Sequence, residues 1–183
     1  LETISYNNIP AKIFVINNDA MNNFLSFQER WDQPEIPAYD IYPPKLREPY
    51  RTSRFELGEQ MYELLGIPRE DKEARINQVM KNFNFFGAPS AFFCFVDRQM
   101  GPPQWSDLGM FLQTFMLLAK EVGLDTCAQE AWSLKQDSVS KFVQADGEDM
   151  LFCGMSIGYQ DKDAPVNSLK SNRRDIDEWA KFL

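Results

Sequence analysis

Histidine is absent from all 183 residues. That absence removes histidine-based nucleophile triads, imidazole general bases and histidine metal ligands together, so no metal site is expected. Cysteine is scarce. Cys94, Cys127 and Cys153 are isolated, odd in number and form no C-x-x-C pair, which excludes a disulfide framework or a cysteine redox motif. They read as small hydrophobes in a reducing, cytoplasmic setting. Positive charge is in deficit, 19 Lys and Arg against 27 Asp and Glu, for a net charge of −8. A nucleic-acid partner needs a basic surface to neutralise phosphates, so none is expected. No apolar run approaches the ~20 residues that span a bilayer, and no basic segment precedes an apolar one near the start, so no membrane partner is expected.

What the chain does have is core-forming material. Hydrophobic residues make up 44% of it, enough for one folded domain over residues 1–183 and too many for a disordered chain. Ala11–Asn17 reads as a strand, and a helix follows around Ala20–Glu29 with Asn18 or Asp19 as its cap. Residues 31–52 hold several prolines and tyrosines and predict a long irregular loop, which in a compact domain is commonly functional. Ser53 and Glu56 form a capping box for a helix to Leu65, which Gly66 stops, and Pro68 opens a further helix to about Asn82. Ser90–Asp97 is nearly all apolar and predicts a central strand covered on both faces. Ser133 with Gln136 reads as a second capping box, for Leu134–Val143. Met150–Tyr159 predicts another core strand, and Asp175–Phe182 a terminal helix. The expected class is α+β, with helices around a central mixed sheet.

The stretch Gln104–Trp132, QWSDLGMFLQTFMLLAKEVGLDTCAQEAW, is the most informative. Ser106 is a plausible N-cap with Asp107 after it. From Leu108 to Val122 the helix is apolar nearly all round, which predicts burial in a core or between subunits. Gln113 interrupts that surface and, if buried, needs hydrogen-bond partners. Trp105 and Trp132 read as core or interface anchors.

The order W-S-D-x-G, then G-L, then Q-E-A-W, with the downstream G-Y-x-D-x-D-A-P-x-N at Gly158–Asn167 and the upstream Phe85-Phe86-Gly87-Ala88-Pro89, resembles the FMN-dependent nitroreductase family over most of the chain. The resemblance implies an enzyme whose chemistry is carried by the flavin, with no catalytic side chain. Electrons would pass from NAD(P)H through FMN to a nitroaromatic, quinone or similar electron-poor substrate. It implies a homodimer with FMN at the interface. It assigns Gln129, Glu130 and Ala131 to the flavin ring, and Lys170 and Arg173 to its phosphate. The family's R-x-S-x-R phosphate grip has no counterpart here, so the chain is expected to be N-terminally short. The ring-facing loop keeps Asn7, with Ser5 nearby, but has Ile9 where the family has Gln and Ala11 where it has Trp. A flavin-free or degenerate member acting as a ligand-binding or non-catalytic protein is the second reading. Tyr39, Tyr42 and Tyr50 would either cover an aromatic substrate by stacking or pack their own loop against the body.

Overall fold

The computed structural model describes residues 11–183, and its contacts group them into two compact units, one of residues 11–44 and 77–160, the other of residues 45–76 and 161–183. The first unit holds the sheet. Its strands are β1 (Ala11–Asn17), β2 (Ser90–Asp97), β3 (Asp125–Gln129) and β4 (Asp149–Gly158), in the order β1-β2-β4-β3. All three pairings are antiparallel among the described residues. The α+β expectation is met, with an antiparallel sheet where a mixed one is expected.

β2 shows why the sheet is central. Its side chains alternate with the two-residue period of a strand. Ala91, Phe93 and Phe95 face one core, with Ile16, Phe24, Phe85, Trp132, Val139 and Leu151. Phe92, Cys94 and Val96 face the other, with Leu108, Leu112, Met150, Cys153 and Met155. Helices α1 (Asn18–Arg30) and α5 (Gln136–Val143) cover the first face; α4 (Pro102–Glu121) covers the second. Each large apolar side chain so enclosed is worth roughly 1.5–3 kcal/mol.

Strand β4 departs from simple alternation. Cys94 pairs with Cys153, but Phe95 pairs with Leu151, so Phe152 is an extra residue opposite no partner. This β-bulge resets the alternation: Leu151 belongs to the first core, whereas Cys153 and Met155 belong to the second. Without the bulge all three would share a face. The Cys94 and Cys153 thiols meet in the second core, and Cys153, hydrogen-bonded to Cys94 and buried, is pushed far above its ordinary pKa.

Several boundaries move for local reasons. α4 starts at Pro102, not near Ser106, because Pro102 and Pro103 occupy the first turn, where a missing N–H costs nothing. Ser106 is therefore inside the helix, and its hydroxyl donates to the Pro102 carbonyl at 3.1 Å. The Ser53 hydroxyl likewise donates to the Pro49 carbonyl at 3.1 Å, one turn back inside α2 (Tyr50–Leu64). α3 is short (Lys72–Met80), with Asp71 accepting from the Ala74 N–H at 2.9 Å at its start. A 3-10 segment, Lys81–Gly87, follows it. Gln113 is exposed on α4 in the single chain. α6 is a single turn, Ile176–Trp179.

α5 has an unusual cap. Neither member of the expected Ser133–Gln136 box caps it. Glu35 arrives from the irregular segment after α1, and its Oε2 accepts the Asp137 and Ser138 N–H groups at 3.0 and 3.2 Å. Asp137 Oδ2 in return accepts the Ile36 N–H at 2.7 Å. This is the reciprocal logic of a capping box with its halves about a hundred residues apart.

In the second unit, Arg75 forks onto Glu59 at 2.6 and 3.1 Å and lies 4.1 Å over the Tyr62 ring. This bidentate pair joins the start of α3 to α2. No residue of α2 is fully buried.

Candidate functional site

The candidate site forms where β3 ends. The structure makes Asp125–Gln129 an edge strand and Glu130–Lys135 a 3-10 turn. An edge strand leaves backbone groups without sheet partners. Cys127 and Ala128 on it are exposed, Glu130 is exposed and Ala131 half-buried. Gln129 turns inward instead and is 2% exposed. Its Nε2 donates to the Asn82 carbonyl at 2.8 Å, and its Oε1 accepts the Ser156 hydroxyl. The outward chemistry of this corner is therefore backbone and small side chains, with one carboxylate at Glu130.

Trp132 fixes the corner from below. It is fully buried. Phe85 stacks on it with ring centres 4.6 Å apart, and Phe83, Phe93 and Phe24 surround it at 5.3, 5.2 and 5.4 Å. Phe85 and Phe86 both hold φ of +54°, a left-handed conformation that is costly for aromatic residues. The burial of Phe85 against Trp132 is what offsets it. Room for the indole comes from Gly154, which pairs with Gln129 across the ladder; a Cβ there would sit 2.3 Å from Trp132 Cδ1.

Tyr39 joins the same corner. Its hydroxyl donates to the Phe152 carbonyl at 2.6 Å, so the bulged residue's backbone is satisfied by a side chain from the long loop. Its ring lies against Phe152 and Trp105. Burial, then the nearby Glu130 charge, pushes the Tyr39 phenol well above its ordinary pKa. It stays a neutral donor at any working pH. These contacts pack the Tyr39 ring and hydroxyl against β4 and Trp105. Residues 31–39 are tied down further by the Ala38 N–H on the Ser133 carbonyl at 2.8 Å.

The remaining sequence-derived residues lie elsewhere. Tyr42 is exposed in the first unit. Tyr50 is exposed in the second, with the Arg174 guanidinium 5.9 Å over its ring. Lys170 is exposed and helps line a cleft of the second unit with Gln60, Glu63, Leu64, Ser168 and Leu169. Arg173 is exposed, its Nη1 donating to the Ser171 carbonyl at 3.0 Å and to the Ser171 hydroxyl. Ser5 and Asn7 lie outside the described residues. Among the described residues no group of His, Cys, Asp or Glu is arranged to hold a metal ion, and no helix is long and apolar enough to cross a membrane. Sequence reading missed Asn82 and Ser156. Ser156 carried a signal: it is the one hydroxyl in the apolar run Met150–Ile157, and a buried hydroxyl needs a partner.

α4 presents a second feature. Leu108, Leu112 and Ala119 are buried, but Met110, Leu117 and Leu118 on the helix and Val122 at its C-cap are exposed apolar residues, with Leu117 61% and Val122 73% exposed.

Residues 8–159 match the Nitroreductase family. The nitrobenzene nitroreductase of Ectopseudomonas oleovorans is 32% identical over 183 residues, covering 98% of this chain and 81% of that protein. The 4-nitrobenzoate reductase of Pseudomonas putida is 36% identical over 152 residues, 83% of this chain and 67% of that one. Among solved structures, the FMN- and NADPH-dependent nitroreductase NfnB from Sphigopyxis sp. strain HMH is similar with a TM-score of 0.88 and 37% identity, over 95% of this chain and 80% of that one.

Proposed function

The chain belongs to the nitroreductase family, and from that premise we propose that it is an FMN-dependent oxidoreductase passing electrons from NADPH to nitroaromatic compounds. The observation that carries this reading is the likeness to an FMN- and NADPH-dependent nitroreductase across 95% of the chain, together with relatives that act on nitrobenzene and 4-nitrobenzoate. Each unit, taken by itself, carries residues of a chemistry that FMN needs. A flat ring with acceptors and donors at its edge matches the β3 corner, where Gln129, Glu130 and Ala131 offer backbone and little side-chain bulk. A phosphate matches the exposed cations Lys170 and Arg173. The chemistry FMN supplies when bound is hydride transfer from the nicotinamide to the electron-poor substrate. The protein's part is to bind, orient and exclude water. Tyr39, as a permanently neutral donor, adds no titrating group beside the ring.

The purified protein should be yellow, with the absorbance bands of bound flavin, and should consume NADPH when nitrobenzoate is added. A colourless preparation that takes up no added FMN would sink the proposal and favour the flavin-free reading.

The phosphate role makes its own prediction. The Lys170 ammonium shares its cleft with Glu63, whose carboxylate opposes anion binding, whereas the exposed Arg173 guanidinium donates to neutral oxygens of Ser171 and Asn172, which a charged phosphate outcompetes as an acceptor. Arg173→Ala should weaken FMN binding more than Lys170→Ala. A charged hydrogen bond lost costs about 1.5–3 kcal/mol, roughly tenfold or more in affinity. Equal flavin affinity of Arg173→Ala and the parent in a fluorescence titration would rule out that role.

The same reading makes the protein a homodimer. The exposed apolar residues of α4 and its C-cap are the surface offered for it, since isolated patches of that kind mark protein contacts.

A further inference from the structure

Glu130 and Ala131, two of the three residues whose backbone meets the ring in the reading above, lie between two immobilised side chains. On one side Trp132 is wedged among four phenylalanine rings. On the other, the Gln129 side chain reaches away from the surface and spends its amide inside the protein. Its Nε2 donates to the Asn82 carbonyl at 2.8 Å and lies 3.3 Å from Asn82 Oδ1. The Asn82 amide donates onward to the Val79 carbonyl at 2.9 Å. The Gln129 oxygen accepts the hydroxyl of Ser156 on β4. Four segments thus converge on one buried amide: the end of α3, the strained Lys81–Gly87 turn, β3 and β4. A buried primary amide whose bonds are satisfied from three directions holds its own Cα in place, and a low dielectric strengthens each of those bonds.

We infer that the Gln129 side chain is a positioning group, with Ser156 and Asn82 as its partners, that sets the Glu130–Ala131 backbone against the flavin and does not itself touch the cofactor. This rests on the reading that the corner faces the flavin. The Ser156 hydroxyl orients the amide. The Asn82 carbonyl, presented by a turn that two left-handed aromatics hold in shape, fixes its far end. Displacing a reacting contact by about an ångström from a distance costs on the order of a hundredfold in rate.

The test uses the holoenzyme with FMN and NADPH, and the variants Gln129→Leu, Ser156→Ala, Ser156→Thr and Ala131→Leu. The expected result is a shifted flavin absorbance spectrum in Gln129→Leu and Ser156→Ala. Reduction by NADPH per bound flavin should slow roughly ten- to a hundredfold, with the NADPH KM within about twofold of the parent. Ser156→Thr, which keeps the hydroxyl, should stay near the parent. If Gln129→Leu fails to fold, Ser156→Ala reads the same quantities. A lower melting temperature with the parent's spectrum and per-flavin rate would overturn the inference, because a purely structural tie moves stability alone. Ala131→Leu separates the premise from the inference. If it weakens FMN binding while Gln129→Leu and Ser156→Ala leave the flavin unchanged, the positioning role falls and the site stands. If Ala131→Leu leaves FMN binding unchanged as well, the corner is not the flavin site and the inference falls with it.

Discussion

Gly154→Ala should lower the melting temperature by about 2–12 °C. The added Cβ would lie 2.3 Å from Trp132 Cδ1 and 3.0 Å from Cγ and Nε1, distances at which something must move. The indole is the wrong thing to move. It is the largest fully buried side chain of the chain, enclosed by Phe24, Phe83, Phe85 and Phe93, and shifting it disturbs all of them. Overpacking of a dense core costs typically 1–3 kcal/mol and occasionally more, and each kcal/mol moves the midpoint by about 2–4 °C at this size. Gly109→Ala supplies the contrast. Gly109 lies in α4 with nothing within 4 Å of the added carbon, so replacing it should be neutral or stabilise by up to about 1 kcal/mol through helix propensity. Calorimetry of both variants decides it. If Gly154→Ala melts within a degree of the parent, Trp132 is not held as tightly as its surroundings imply.

Leu117→Glu combined with Val122→Glu should convert the proposed dimer to monomers. Both side chains are exposed on the single chain, Leu117 in α4 and Val122 at its C-cap. In a two-fold interface every substitution occurs twice, so four carboxylates would face a surface with no partner for them. An uncompensated buried charge costs about 3–5 kcal/mol. One such penalty already lowers dimer affinity about a thousandfold. Sedimentation at micromolar concentration should show a 21.3 kDa species for the variant and twice that for the parent. A variant that remains dimeric would place the interface elsewhere. The folded state of each protomer should survive, because neither residue belongs to either buried core.

How much was legible from the sequence depends on how local the cause was. The bounds of β1 and β2 follow from residue type alone: a β-branched and aromatic run in one, an unbroken apolar run in the other. β3 was not legible. Its five residues, DTCAQ, carry neither apolar alternation nor β-branched enrichment, and it exists because β4 offers it an edge. The start of α4 was misplaced because Ser106 resembles a cap, when two prolines upstream already suit a first turn. The α5 cap could not be seen in any window, since Glu35 comes from so far away. At the candidate site, the chemistry of Gln129–Ala131 was readable through family likeness. The inward turn of the Gln129 side chain was not, because it depends on a turn forty-seven positions away. The long loop was recognised as irregular, but its attachment by Tyr39 to a bulged carbonyl depends on a register shift in β4 that composition does not encode.

The divided cap of α5 bears on the order in which the chain assembles. At eight residues α5 is shorter than a helix that persists alone in water, and its first amides have no local acceptor to hold them. Their acceptor, Glu35, emerges from the ribosome about a hundred residues before the helix does. Until Gln136–Val143 is made, that carboxylate has nothing to cap. Once it is made, the loop between them must close before either end is satisfied, at the entropic cost of a long-range contact. α5 and residues 35–39 therefore complete each other in one step. The candidate site, whose Trp132–Ser133 turn leads directly into α5 and holds Ala38, is completed in that same step.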